Sequence, residues 1–281
     1  MPDFIAQLLP VLLVENLGLF AALLGAGACA GILAGLFGVG GGIVIVPALF
    51  TALTSFGYAP DLAMHIATGT SLATIIPTGL SSARAHYKRG SVDMEVLRLL
   101  APSTAIFAFI GAFAASGLGG IFLTILFAIF AALIALLMLQ GKKGVALVSA
   151  VPKGHGRHVL GGGIGLLSAM LGIGGGTMSV PTLAACGYKM TLAVGTGSAL
   201  GLFIALPGAL GFVMTGWGHE GLPPFSLGYV NMVAMAIIAP LSVVFAPLGA
   251  KFAHKLPELW LRRGFAVFLL LMAAKMAMKA L

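Results

Sequence analysis

Gly38-Val39-Gly40-Gly41-Gly42, followed by Pro47, and Gly172-Ile173-Gly174-Gly175-Gly176, followed by Pro181, set runs of glycine inside stretches that are otherwise apolar. The second motif repeats the first at a constant offset of 134 residues. Glycine lets a helix stop, turn sharply and start again beside a close neighbour. After Gly42 and after Gly176 a new half-helix is expected. Its first N–H groups have no intrahelical partner, and its dipole presents a positive end to whatever lies at the break. That combination binds anions. The candidate ligand-binding backbone is therefore Gly40, Gly41 and Gly42 in the first copy and Gly174, Gly175 and Gly176 in the second. Thr177 gives the second arm a hydroxyl where the first arm has Ile43.

Further hydroxyls follow each motif. Gly69-Thr70-Ser71 echoes Gly195-Thr196-Gly197-Ser198, which makes Thr70, Ser71, Thr196 and Ser198 candidate ligands for a substrate's oxygens. The seven carboxylates fall at or near expected loops, so no acid is placed to carry a cation or a proton through an apolar interior. An anionic substrate is favoured. Arg84 and His86 lie in Arg84-Ala85-His86-Tyr87-Lys88-Arg89, a cluster suited to the mouth of an anion pathway. No zinc helix, paired-cysteine motif or nucleophile elbow is present, so an enzyme is not expected, nor a metal or cofactor site. The glycine runs resemble a dinucleotide fingerprint but lack the preceding strand that this motif requires.

The elements that hold these residues are read from composition. The chain has 281 residues, 60% hydrophobic and 8% charged, with mean hydropathy +1.12. A soluble domain carries about a quarter charged residues, which excludes that class here. Apolar runs at 62–83, 96–115, 121–139, 192–214, 227–250 and 265–281 are each long enough to cross a hydrocarbon core about 30 Å thick. The net charge of +8 is explained by basic loops on one membrane face, without a nucleic-acid partner. Cys29 and Cys186 read as packing residues.

Placing the basic loops in the cytoplasm puts thirteen of the fifteen Lys and Arg residues there. Residues 159–187 then enter and leave on the same side. Their arms of about 14 and about 11 residues reach only roughly 21 and 17 Å, so the segment reads as a re-entrant hairpin with glycines at its tip. Residues 25–58 read as its counterpart from the other side. The expected fold is an all-α polytopic membrane protein of two inverted repeats, each a glycine-broken re-entrant hairpin plus three transmembrane helices. Residues 1–24 form an N-terminal extension, 25–141 the first repeat, 142–158 a cytoplasmic linker and 159–281 the second repeat. A broken helix duplicated in two halves points to a secondary transporter's binding site.

Gly35-Leu36-Phe37-Gly38-Val39-Gly40-Gly41-Gly42 with Val46-Pro47, Gly69-Thr70-Ser71, the second glycine motif, and Ala246-Pro247-Leu248-Gly249-Ala250 together resemble the TauE/SafE family of sulfite exporters. The resemblance covers about residues 25–281. It implies multi-pass residence in a bacterial inner membrane and export of sulfite or a small organosulfonate. The expected partners are a small anionic substrate and the lipid bilayer; a homodimer is compatible. Two alternatives are carried forward: an anion channel on the same fold, and a non-transporting membrane scaffold.

Overall fold

The computed structural model describes residues 17–38, 40–139, 152, 154–253 and 258–280. Most of the expected linker and the first sixteen residues of the expected extension lie outside the described residues. The described chain forms α1 (Leu17–Phe37), α2 (Gly42–Ser55), α3 (Pro60–Tyr87), α4 (Met94–Ser116), α5 (Gly120–Leu139), α6 (His155–Met170), α7 (Gly175–Ala185) and α8 (Met190–Thr215). A two-residue antiparallel hairpin, β1 (Ser226–Leu227) and β2 (Val230–Asn231), precedes α9 (Met232–Ala253) and α10 (Glu258–Ala280).

Among the described residues, four helices are long and apolar enough to cross a membrane: Met94–Ser116, Gly120–Leu137, Met190–Thr215 and Met232–Phe252. The sequence expects six. α3 has the length, 28 residues, but seven serines and threonines and two histidines lower its apolarity. In α10 the apolar part is the shorter Ala266–Met278. Three boundaries also differ. α1 begins at Leu17 and so crosses the expected division at residue 25. α6 begins at His155, inside the expected linker. Residues 226–231 form the hairpin instead of the start of a span, because Gly228 turns at φ +54° and Tyr229 packs against Gly216 of the preceding turn.

α1 packs along α9 and α6 along α4; α4 lies on α8 and α9 on α3; α3 crosses α8 and α5 pairs with α10. Exchange α1–α5 with α6–α10 and the list is unchanged. The agreement reaches individual residues. Gly27, Gly31 and Gly35 of α1 sit against the backbone of Ile238, Ser242 and Ala246 of α9, so that no side chain fits between. Gly161 and Gly165 of α6 sit in the same way on Leu100 and Thr104 of α4. Gly111 rests on the Leu166 carbonyl and Gly249 on that of Ile32. Where lipid removes the hydrophobic drive between helices, such small residues supply the close packing that holds them together.

Candidate functional site

The two glycine turns lie where this framework converges. After α1 the chain turns through Gly38, Gly40 and Gly41 at φ +68°, +73° and +82°, then re-enters a helix at Gly42. After α6 it turns at Gly172 with φ +65°, and Gly174 is extended before α7 begins at Gly175. These left-handed angles are inexpensive only for glycine. The turns also touch. A Cβ on Gly40 would lie 3.4 Å from the Gly174 Cα, and one on Gly42 would strike the Gly172 carbonyl and come within 3.0 Å of the Ile173 Cα. Gly175 is held as closely against α8, 2.6 Å from Cβ position to the Gly201 nitrogen.

Two helix N-termini, one from each half, therefore start at one buried junction. The N–H groups of Val44 and Ile45 return to the Gly41 carbonyl, and that of Thr177 to the Gly174 carbonyl. The remaining first-turn donors, at Gly42, Ile43, Gly175 and Gly176, are the ones a helix leaves without an intrahelical acceptor. Both dipoles add positive potential at this point.

Side-chain hydroxyls gather on one of the two turns. Ser71 of α3 donates to the Gly172 carbonyl at 2.7 Å. Thr68, one turn earlier, lies against Gly172. The hydroxyls of Thr68, Ser168, Thr177 and Ser179 are all buried with no hydrogen-bond partner. Burying a hydroxyl unpaired costs about 1–3 kcal/mol, so this cluster is expensive to hold dry. Thr177 faces a narrow seam against Ile43 and Phe127, Phe130 and Ile134 of α5.

The other candidates have different surroundings. Thr70 accepts the Asn231 N–H at 2.9 Å, and Thr196 accepts the Asp93 N–H at 2.9 Å. Asp93 caps α4 by accepting from Glu95 and Val96, and Asn231 caps α9 by accepting from Ala234. Gly69 and Gly195 leave room for the Tyr229 and Ser91 carbonyls of the same capping loops. Each Gly-Thr pair is thus a socket for the other half's helix cap. Ser198 donates to the Val194 carbonyl at 2.9 Å and lies 3.3 Å from the Ser82 hydroxyl. Arg84 is exposed, whereas His86 is 1% exposed with Nε2 2.9 Å from the Gly35 carbonyl. Residues two apart on a helix face different ways, so this pair does not form one cluster.

Several residues at the junction escape a reading of motifs. Ile75 covers the first turn, with Cγ2 2.9 Å from the Cβ position of Gly40. Thr68, Ser168, Ser179 and Ser82 carry no motif. The signal that finds them is register. α3 and α8 align at a constant 126 residues, as Gly69 with Gly195 shows, which sets Thr68 and Ser82 against Val194 and Gly208. The 134-residue offset of the glycine motifs sets Ser168 and Ser179 against Ala34 and Ile45.

A family model described as "Sulfite exporter TauE/SafE" matches residues 23–276. A "probable membrane transporter protein" of Haemophilus influenzae is 40% identical over 260 residues, covering 90% of this chain and 96% of the relative. A protein of the same description from Methanocaldococcus jannaschii is 27% identical over 250 residues, covering 88% and 91%. The Bacillus subtilis probable membrane transporter protein YunE is 33% identical over 182 residues, covering 58% and 67%. No solved structure matches the chain.

Proposed function

The chain belongs to the TauE/SafE family of membrane transporters, and from that premise we propose that it is a secondary transporter exporting a small sulfur oxyanion, sulfite or an organosulfonate, across a bacterial inner membrane. The observation that carries this reading is the junction where α2 and α7 begin, one from each half, with their apical glycines in contact. Two positive helix ends facing one point suit an anion better than a cation or a neutral solute.

In this reading α1–α2 and α6–α7 are re-entrant hairpins of two inverted repeats. The exchange-invariant packing supports it, as does the shortness of the arms after the glycines: 14 residues in α2 and 11 in α7 reach roughly 21 and 17 Å, whereas α1, at 21 residues, is long enough to cross. Gly40, Gly41, Gly42, Gly174, Gly175 and Gly176 offer backbone donors to the substrate, and Thr177 and Ser71 offer hydroxyls. Thr70, Thr196 and Ser198 act one layer back, as holders of the helices that carry the site. In this reading the abutting apices are a closed form, and the anion binds when they part towards one side or the other.

The test is a thermal-shift screen of the purified protein with sulfite, thiosulfate, sulfoacetate, taurine and sulfolactate, followed by counterflow in proteoliposomes. One of these anions should stabilise the protein and exchange labelled for unlabelled substrate, and Gly176→Val should abolish both. Stabilisation without counterflow would make the protein a channel, and no stabilisation by any of them would leave the scaffold reading. Repeating transport with the pH gradient collapsed separates proton-coupled export from export driven by membrane potential.

A further inference from the structure

The duplicated frame supplies an internal control for every buried polar residue, and one helix face fails to match its counterpart. Along α3, Thr68, Ser71, Thr78, Ser82 and His86 recur at intervals of three, seven, four and four residues, which sets them on one side of the helix. All five are buried. At one end this face meets the second glycine turn, through Thr68 and the Ser71 bond to Gly172. At the other, Ser82 donates to the Ala34 carbonyl at 3.1 Å, and His86 Nε2 donates to that of Gly35. Beyond His86 lie the exposed Arg84, Lys88 and Arg89, with Arg98 exposed on α4.

The corresponding residues of α8 are Val194, Gly197, Ile204, Gly208 and Phe212. They occupy the same place against the first glycine turn: Gly38 packs on Val194 as Gly172 packs on Thr68. At these five positions α8 therefore supplies no side-chain polar group, although its Ser198 hydroxyl stands beside the first turn, 2.7 Å from the Cβ position of Gly38. Buried hydroxyls carry a desolvation cost that the apolar copy avoids. A second observation points the same way. Thr68 at the apical end of the face, and Thr177 and Ser179 at the start of α7, are buried hydroxyls without a partner. Such groups are satisfied when water or an oxyanion reaches them.

We propose that the Thr68–Ser71–Thr78–Ser82–His86 face of α3 is the wetted lining of the route between the glycine junction and the Arg84–Arg98 side, whereas the matching face of α8 is a dry packing surface. The proposal rests on the transporter reading for its purpose, but not for its test. The route carries water and a small hydrated anion. The Thr68 hydroxyl is unpaired. Ser71, Thr78, Ser82 and His86, which here donate to the Gly172, Thr74, Ala34 and Gly35 carbonyls, exchange those bonds for water when it enters. No carboxylate stands on the face. It makes the two halves unequal. One contributes the polar wall, the other the hydroxyl-bearing arm, and both converge on the second glycine turn.

Thiol accessibility tests this without knowledge of the substrate. In a background with Cys29 and Cys186 replaced by alanine, Thr78→Cys and Ser82→Cys are paired with their counterparts Ile204→Cys and Gly208→Cys. A small charged methanethiosulfonate is applied from either side of membrane vesicles, and Lys88→Cys reports the side. The α3 positions should react from the Lys88 side about tenfold faster than their α8 counterparts, since the rate follows the fraction of molecules in which the position meets water. Equal reactivity of the two faces, or reaction from the side opposite Lys88, overturns the proposal. X-ray hydroxyl-radical footprinting of the unsubstituted protein gives a second measurement that requires no variant. Modification confined to residues 68–86 supports the route, and equal modification of 194–212 refutes it. If no sulfur anion is carried while the α3 face still reacts, the substrate assignment falls and the route stands. If export persists while both faces stay inert, the route falls alone.

Discussion

In the first half the arm after the glycines begins Ile43-Val44-Ile45, and Ile75 lies over the turn; in the second half the same positions are Thr177-Met178-Ser179 and Gly201. The neighbours from the crossing helix differ in the opposite sense. Val194 faces the first turn, and Thr68 with Ser71 faces the second. One turn therefore meets mainly aliphatic side chains, with the Ser198 hydroxyl beside Gly38, and the other gathers several hydroxyls, on frames that share their packing partners. What the two share, the helix breaks, the abutting apices and the capping sockets, is what the architecture requires. What they do not share is where ligand chemistry has room to be specific. The duplication alone treats the two helix ends as equivalents; their surroundings make the second the polar end.

Breaking the shared frame should have the largest effect, and the same effect in both halves. Gly42→Ala and Gly175→Ala each drive a Cβ into backbone atoms, and each should lose about 3 kcal/mol or more of stability in detergent unfolding. These are the first residues of α2 and α7, not a pair matched by the 134-residue offset. A tolerated alanine at either would mean that its helix start is not held by this close packing. Removing the sockets comes next. Thr70→Val strands the buried Asn231 N–H and should cost about 2 kcal/mol, while Thr196→Val strands the part-buried Asp93 N–H and should cost about 1. Thermal unfolding of the pair would contradict the account if Thr196 proved the more costly.

The comparison sharpens at Thr177. Thr177→Val keeps the shape and removes an unpaired buried hydroxyl, so stability should hold or rise slightly. Sulfite affinity should fall about tenfold, equivalent to 1.4 kcal/mol. Thr177→Ser should retain most of the affinity. Loss of stability in the valine variant, with affinity unchanged, would make Thr177 a packing residue. The smallest effect is expected at Tyr188, between α7 and α8. Burial first, then the Asp93 and Glu95 carboxylates and Cys186, hold its hydroxyl above the usual tyrosine range. These causes penalise only the ionised form, so folded stability does not depend on this group below about pH 10 and falls as pH rises from there through the folded value. Tyr188→Phe should flatten the alkaline limb of a stability–pH curve and leave the neutral region unchanged.

Much of this was legible from residues alone. The motif offset of 134 residues exposes the duplication, and the apolar runs locate most helices to within a few residues. The two helix starts at the glycines follow from glycine and dipole chemistry. The roles of Thr70 and Thr196 did not emerge, because their partners Asn231 and Asp93 lie more than a hundred residues away in sequence. Neither did the burial of His86 beside an exposed Arg84, which depends on which side of α3 meets α1. Local spacing fixes where a side chain points around its own helix. The neighbour that awaits it is fixed by the crossing of the two halves, and only the packed structure contains that.

The interleaving of α1 with α9 and of α4 with α6 also sets a timetable for synthesis. α1 leaves the ribosome first, yet the groove that receives Gly27, Gly31 and Gly35 belongs to a helix that begins at Met232. Until then its glycine ridge must wait in lipid or against a chaperone, and α4 likewise waits for α6. A nascent chain halted between the halves should therefore be a favoured substrate for membrane quality-control proteases. The two halves expressed as separate polypeptides should survive only when made together.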